Sequence, residues 1–205
     1  GRVPLDITKS SVDYLILSAH KIGGPKGAGA IIAVSDLIMP QALVRGGGQE
    51  KGHRAGTEAL PLIAGFAAAA RAARERLEAG GWPVAQREKI EQGIRAVAPD
   101  AVIFGAGADR LPNTTLFSLP HVKAETVQIA FDLAGVALSA GSACSSGKVG
   151  PSHVLAAMGH GGGTGGLRVS TAPDTDDEDI ARFLDALTKI VARRDRSGAA
   201  AADAA

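Results

Sequence analysis

Nine residues ending in a lysine constrain this chain most: Asp13-Tyr14-Leu15-Ile16-Leu17-Ser18-Ala19-His20-Lys21 is an apolar run that stops abruptly on a hydroxyl, an imidazole and an amine. Directly after it come Ile22-Gly23-Gly24-Pro25-Lys26-Gly27-Ala28-Gly29, a glycine-rich turn, and a second apolar run from Ala30 to Val34. Strand, polar cluster, glycine turn and strand in that order present the Lys21 amine at the edge of a sheet, where a ligand can reach it. A lysine desolvated there loses its proton cheaply, and the neutral amine can form a Schiff base with a carbonyl. The spacing of this stretch is also that of a solvated loop lysine after a hairpin strand, and by itself it favours that plainer reading.

The core has to be made of Ala, Leu, Val and Ile, because aromatic residues supply only 3% of the 205 residues. That length suffices for one large domain or two small ones. With 22 basic against 21 acidic residues the net charge is +1, which leaves no electrostatic footprint for nucleic acid or an anionic membrane. A single cysteine excludes an intrachain disulfide and any multi-cysteine zinc site built by this chain alone. The longest uncharged apolar stretch, Ala59 to Ala70, falls short of the ~20 residues that cross a bilayer, and no targeting segment is visible. A cytoplasmic location is expected. The chain opens on Gly1 rather than methionine, so a piece cut from something longer is expected too.

Residues 1 to about 58 read as strands and glycine turns. Gly46 to Glu58 carries many glycines and charges and hardly any apolar side chain, so it is expected to be disordered or to be shaped by a ligand or partner. Thr57, just before a helical stretch, is expected to cap that helix or, with the free N–H groups, to hold a phosphate. From Leu60 to Ala79 the positions Leu60, Ile63, Ala64, Ala67 and Ala70 predict a helix with one apolar face, closed by Gly80-Gly81. Further along, helices are predicted over Val84 to Val97, Ala124 to Leu133 and Pro151 to Met158, the last with proline in its first turn. Strands are predicted over Ala101 to Phe104, Thr114 to Leu119, Val136 to Ser139 and Leu167 to Ser170. The last helix has Thr175 and Glu178 as a capping box and Ile180, Phe183, Leu184, Leu187, Ile190 and Val191 as its apolar face. Beyond Arg196 the alanine-rich end has nothing to pack with and is expected to be disordered. Strands and helices alternate without internal repeats, giving an α/β or α+β class with a domain boundary near residue 58.

Cys144 lies in Leu138-Ser139-Ala140-Gly141-Ser142-Ala143-Cys144-Ser145-Ser146-Gly147-Lys148, among neighbours that offer no apolar burial. A cysteine in such a loop is a nucleophile candidate, with Lys148 as a group that can lower its pKa. His53, His121 and His160 show no paired ligand spacing, so no metal is expected. Gly161 to Gly166 reads as a flexible connector, since no helix start follows it.

Three motifs in order now carry a resemblance. Ser-Ala-His-Lys with Gly-Pro-Lys-Gly-Ala-Gly, then Gly-Gly-Gly-Gln-Glu with Arg-Ala-Gly-Thr-Glu, then Ser-Ala-Gly-Ser-Ala-Cys-Ser-Ser-Gly with Pro-Ser-His-Val-Leu, resemble the NifS/IscS group of cysteine desulfurases, over about residues 2 to 191. The resemblance implies a pyridoxal 5'-phosphate enzyme of the aspartate aminotransferase fold type. It makes Lys21 the Schiff-base lysine, Ser18 and His20 ligands of the cofactor phosphate, and Thr57 a ligand reaching the phosphate of a neighbouring subunit in a homodimer. Cys144 becomes the nucleophile that takes sulfur from L-cysteine as a persulfide, and Arg168 the partner of the substrate α-carboxylate, a task suited to a bidentate guanidinium. A sulfur-acceptor or scaffold protein is implied as well, serving iron-sulfur cluster assembly or tRNA thiolation. On this resemblance residues 1–58 are the C-terminal remnant of a large cofactor-binding domain, 59–196 a linking helix and a small C-terminal domain, and 197–205 a tail.

The family's histidine, aspartate, asparagine and glutamine contacts upstream of the lysine have no counterpart in this chain. After Arg168 it reads Val-Ser-Thr-Ala-Pro-Asp, where many members have Ser-Leu-Gly and a further arginine. A fragment inactive by itself is therefore expected. The alternatives are a selenocysteine lyase or other class V aminotransferase relative, and a non-catalytic remnant that binds a desulfurase or its acceptor.

Overall fold

The two apolar runs around the glycine turn pair as antiparallel strands. In the computed structural model β1 (Tyr14–Ser18) and β2 (Gly29–Ala33) match Tyr14 with Ala33 at one end and Ser18 with Gly29 at the other. The structure describes residues 1–141, 152–161, 163 and 165–202, with side chains through 197. They form two units, Gly1–Gly81 and Trp82–Ala205.

In the first unit the chain leaves β1 through a single 3-10 turn, Ala19–Lys21. The buried Ala19 ties this turn down: its N–H donates to the Ala28 carbonyl at 3.0 Å, and its own carbonyl accepts from the N–H groups of Ile22 and Gly24. Gly23 and Gly27 hold φ values of 90° and 92°, which a side chain would strain. Helix α1 (Leu60–Glu78) lies on this turn through its smallest residues. A Cβ on Gly65 would stand 3.0 Å from the Pro25 ring, and one on Gly24 3.2 Å from the Ala69 methyl.

That close approach decides which face of α1 packs. Leu62, Gly65, Phe66, Ala69 and Ala73 turn inward, while the face expected from the sequence, Leu60, Ile63, Ala64, Ala67 and Ala70, is exposed, Leu60 to 69%. The first two turns of the helix are apolar nearly all round, so periodicity marks two candidate faces and the glycine turn selects the one with the smaller side chains. The hairpin is also open: Ile16, paired directly with Ile31, is 79% exposed. Among the described residues the buried hydrophobics of this unit are three alanines, Ala19, Ala55 and Ala73.

The Gly46 to Glu58 loop is shaped by its own bonds. Gln49–Gly52 form a 3-10 turn in which Glu50 and Lys51 take left-handed backbone angles. Arg54 Nη1 donates to the Gly56 carbonyl at 2.7 Å, and the buried Ala55 donates to the Val44 carbonyl.

The second unit is a four-stranded antiparallel sheet under a helical layer. Its elements are α2 (Val84–Val97), β3 (Val102–Ile103), β4 (Thr114–Ser118), α3 (Ala124–Leu133), β5 (Ser139–Ala140), the short α4 (His153–Leu155), β6 (Leu167–Ser170) and α5 (Asp177–Ala202). The strand order is β3-β4-β6-β5. Alternate residues of the central strands, Thr115 and Phe117 of β4 with Leu167 and Val169 of β6, face the helices. Phe117, Ile94, Val127, Phe131 and Leu187 fill the core, with Phe131 stacked on Phe183 at 5.3 Å between ring centres. The α5 face predicted from Ile180 to Val191 is the face that packs.

Helix α1 falls in the first of the two units, which divide after Gly81, and is fastened to the turn after Lys21. Several element boundaries differ from expectation. The capping box of α5 is Asp176 with Asp179, whose carboxylates and N–H groups bond reciprocally at 2.9 and 3.4 Å. Thr175 is already engaged, accepting from Ala172 N–H. The helix also continues through Ser197 to Ala202, where a disordered tail was expected; alanine is the strongest helix former. The strand expected over Val136 to Ser139 is Ser139–Ala140, and the helix expected over Pro151 to Met158 is three residues long before a wider turn, Ala156–His160. Pro151 lies outside the described residues.

Candidate functional site

Three of the site residues sit on consecutive features of one hairpin end. Ser18 is the last residue of β1, and His20 and Lys21 are on the 3-10 turn that follows. Ser18 is half-buried, and both the His20 and Lys21 side chains are exposed. None of the three makes a side-chain hydrogen bond or ion pair to another described residue. The turn is held by Ala19, its buried neighbour, so its backbone is fixed while its polar side chains stay uncommitted.

Thr57 does not cap α1. The N-cap position is Ala59, which makes no side-chain bond, and Pro61 in the first turn has no N–H to offer. The Thr57 side chain is exposed and, among the described residues, unpartnered, which leaves its hydroxyl free for a ligand. A concave region of about 870 Å3 in this unit is lined by Ile31, Met39, Leu62 and Phe66 with His53 and Arg54, and includes none of Ser18, His20, Lys21 or Thr57.

Arg168 belongs to the second unit. It points to the face of the sheet opposite the helices, with Leu116 of β4 on one side and Ser139 of β5 on the other. Its Nη2 donates to Ser139 Oγ at 3.3 Å. No carboxylate pairs with it among the described residues, so a half-buried guanidinium with five donors keeps most of them available. Cys144 and Lys148 lie outside the described residues. His160, one of the histidines set aside as a ligand, packs its ring edge-on against Phe104 at 4.9 Å.

Chemically, a hydroxyl at 18 and an imidazole at 20 are hydrogen-bonding groups suited to a phosphate, and the amine at 21 can condense with an aldehyde. No acidic side chain belongs to this set. That composition fits a phosphorylated aldehyde. The same sheet-edge placement had been legible from the strand and turn pattern, whereas the register that sets Ser139 beside Arg168 links residues 29 positions apart and leaves no local signal.

Comparison with known proteins gives a consistent picture. The model of the family "aminotransferase class-V" matches residues 1–183. A cysteine desulfurase of Gluconacetobacter diazotrophicus is 39% identical over 196 residues, 94% of this chain and 49% of the relative. The cysteine desulfurase NifS of Azotobacter vinelandii is 38% identical over 94% of this chain and 48% of its own length. Among solved structures, a NifS-like protein from Rickettsia africae aligns with a TM-score of 0.78 and 32% identity, over 92% of this chain and 50% of that one. The apo structure of a cysteine desulfurase from Thermococcus onnurineus, at 18% identity and a TM-score of 0.73, shares the fold. The chain thus spans about half the length of the relatives it matches.

Proposed function

Because the chain belongs to the aminotransferase class-V family, we propose that it is the C-terminal half of a cysteine desulfurase, acting on L-cysteine with pyridoxal 5'-phosphate. The observation that carries this reading is the 39% identity to a cysteine desulfurase across 94% of the chain.

Lys21 anchors the cofactor through its amine, and Ser18 and His20 hold the cofactor phosphate. Thr57 serves the phosphate of a neighbouring subunit, which places the working sites at a homodimer interface. Bound pyridoxal phosphate supplies the electron sink that lets the substrate α-proton leave. Arg168 orients the substrate through its α-carboxylate, for which its uncommitted donors suit it. The Cys144 thiolate attacks the substrate sulfur: the S–S bond forms as the C–S bond breaks, and the electron pair of that bond stays with the substrate carbon, which is protonated to give L-alanine. The oxidation of sulfur to the persulfide level is balanced by reduction of that carbon, so no outside oxidant enters. The persulfide on Cys144 then passes to a sulfur-acceptor or scaffold protein.

Residues 1–58 are proposed as part of the large domain of the complete enzyme and 59–196 as the linking helix and small domain. The open apolar hairpin supports the first of these assignments, since Ile16 and Ile31 stand exposed on it and the buried hydrophobics among residues 1–58 are two alanines, Ala19 and Ala55. The test is attachment of the cofactor. Borohydride reduction of the complete enzyme should fix pyridoxal phosphate to the peptide containing Lys21, and Lys21→Ala should abolish the labelling. Labelling of another lysine would move the anchor elsewhere.

A further inference from the structure

We propose that Ser139 is a positioning residue for Arg168, fixing the plane of the guanidinium that receives the substrate carboxylate; this rests on the reading of Arg168 given above. Arg168 and Ser139 are directly opposite each other in the β5–β6 ladder, so both side chains rise from the same face of the sheet. The Ser139 hydroxyl accepts from Arg168 Nη2 at 3.3 Å, and this is the side-chain hydrogen bond Arg168 makes among the described residues. The other neighbour in the ladder, Leu116, is apolar and cannot orient a guanidinium.

Ser139 is itself held on a short strand from several directions. Gln128 Nε2 of α3 donates to the carbonyl of Leu138 at 3.3 Å, and Gly141 N–H donates to the carbonyl of Gly166 at 2.9 Å. Gly166 is buried under Leu116, where a Cβ would come within 2.9 Å of that side chain, so the strand that carries Arg168 is fixed just ahead of it. A hydroxyl anchored in this way restricts the rotation of an otherwise flexible side chain before the ligand arrives. Pre-ordering lowers the entropy cost of binding and acts on a carboxylate that needs two parallel N–H groups. Ser139 touches neither substrate nor cofactor in this account.

The test uses the complete, cofactor-loaded enzyme, three substitutions at Ser139 and one at Arg168. Ser139→Ala should raise KM for L-cysteine roughly three- to tenfold, the range expected for one lost hydrogen bond, while lowering kcat far less. Ser139→Thr and Ser139→Val are nearly the same shape and both suit a strand, but only Thr keeps the hydroxyl. Thr should therefore stay near the parent KM and Val should match Ala. Equilibrium binding of L-alanine, which carries the same carboxylate, should weaken in parallel. Adding Ser139→Ala to Arg168→Ala should cost nothing further, because the hydroxyl acts through the arginine. If Arg168→Ala raises KM and the Ser139 variants do not, or if Thr and Val behave alike, the positioning role is overturned and Arg168 keeps its own. If Arg168→Ala leaves KM unchanged, the assignment of Arg168 is what fails, and the role of Ser139 falls with it.

Discussion

Removing Arg110 should cost the second unit more than any surface change, because it strands a carboxylate in the interior. Glu91 of α2 has a side chain only 8% exposed, and Arg110, 16% exposed, grips both of its oxygens, Nη1 at 2.7 Å and Nη2 at 3.2 Å. Thr115 of β4 adds a hydroxyl at 2.9 Å, while Arg95 stands off at 3.8 Å and is half in water. Burial by itself would push the Glu91 carboxyl up; the hydrogen bonds from Arg110 and Thr115 and the charges of Arg110 and Arg87 outweigh it and hold the group below its ordinary 4.5. Breaking such a pair from one side costs about 3–5 kcal/mol, and the surviving Thr115 and Arg95 contacts put Arg110→Ala at the lower end, about 3 kcal/mol. Arg95→Ala removes only a screened contact and should cost less than about 1 kcal/mol.

Urea titration followed by the fluorescence of Trp82, the single tryptophan, reads this out in the unit to which the pair belongs. Since the folded carboxyl titrates below the unfolded one, the contribution of Glu91 is fully present above pH 4.5 and fades as pH falls through the lowered folded value. The gap between parent and Arg110→Ala should therefore be wide at pH 7 and close in acid. A gap under about 1 kcal/mol at pH 7, or one that does not narrow in acid, would refute the role of Arg110 as the counter-charge that keeps the buried Glu91 ionised.

Two further substitutions probe the same unit. A Cβ on Gly93 of α2 would lie 2.4 Å from Leu184 Cδ2 and 3.0 Å from its Cγ, so Gly93→Ala should force Leu184 from its rotamer and lose about 1–3 kcal/mol despite alanine's better helix propensity; a variant as stable as the parent in thermal melts would show that α2 and α5 can separate. Asn113, 2% exposed, donates from Nδ2 to the Thr171 carbonyl at 3.0 Å, and Asn113→Ala should cost about 1–3 kcal/mol. An unchanged urea midpoint would contradict that.

Local signals were legible wherever one pattern had one partner. The bounds of α2, α3 and β6 agree with the sequence reading, and the apolar face of α5 packs as its periodicity requires, because each has one apolar stripe or one alternating run. Helix α1 was misread for the opposite reason: with alanine and leucine on several sides, only the close approach of Gly24 and Pro25 decides the packed face. The caps fall elsewhere because Thr175 finds a nearer donor in Ala172, and because α1 has Ala59 at its N-cap and Pro61, with no N–H to offer, in its first turn. At the candidate site, Ser18, His20 and Lys21 were legible as a strand end followed by a turn. Ser139 beside Arg168 and Glu91 beside Arg110 were not, since strand register and buried charge pairing join positions that no short window holds together.

On the proposed function, Cys144 takes the sulfur. The complete enzyme should be given L-cysteine labelled at sulfur, and the protein-bound, thiol-releasable label mapped by peptide while alanine is measured in the same sample. The label should fall on the peptide containing Cys144 and appear together with alanine, and Cys144→Ser should retain cofactor binding yet hold no label, because a serine hydroxyl is far less ionised than a thiol near neutral pH and much less nucleophilic than a thiolate. A Cys144→Ser enzyme that still accumulates protein-bound sulfur would contradict the account.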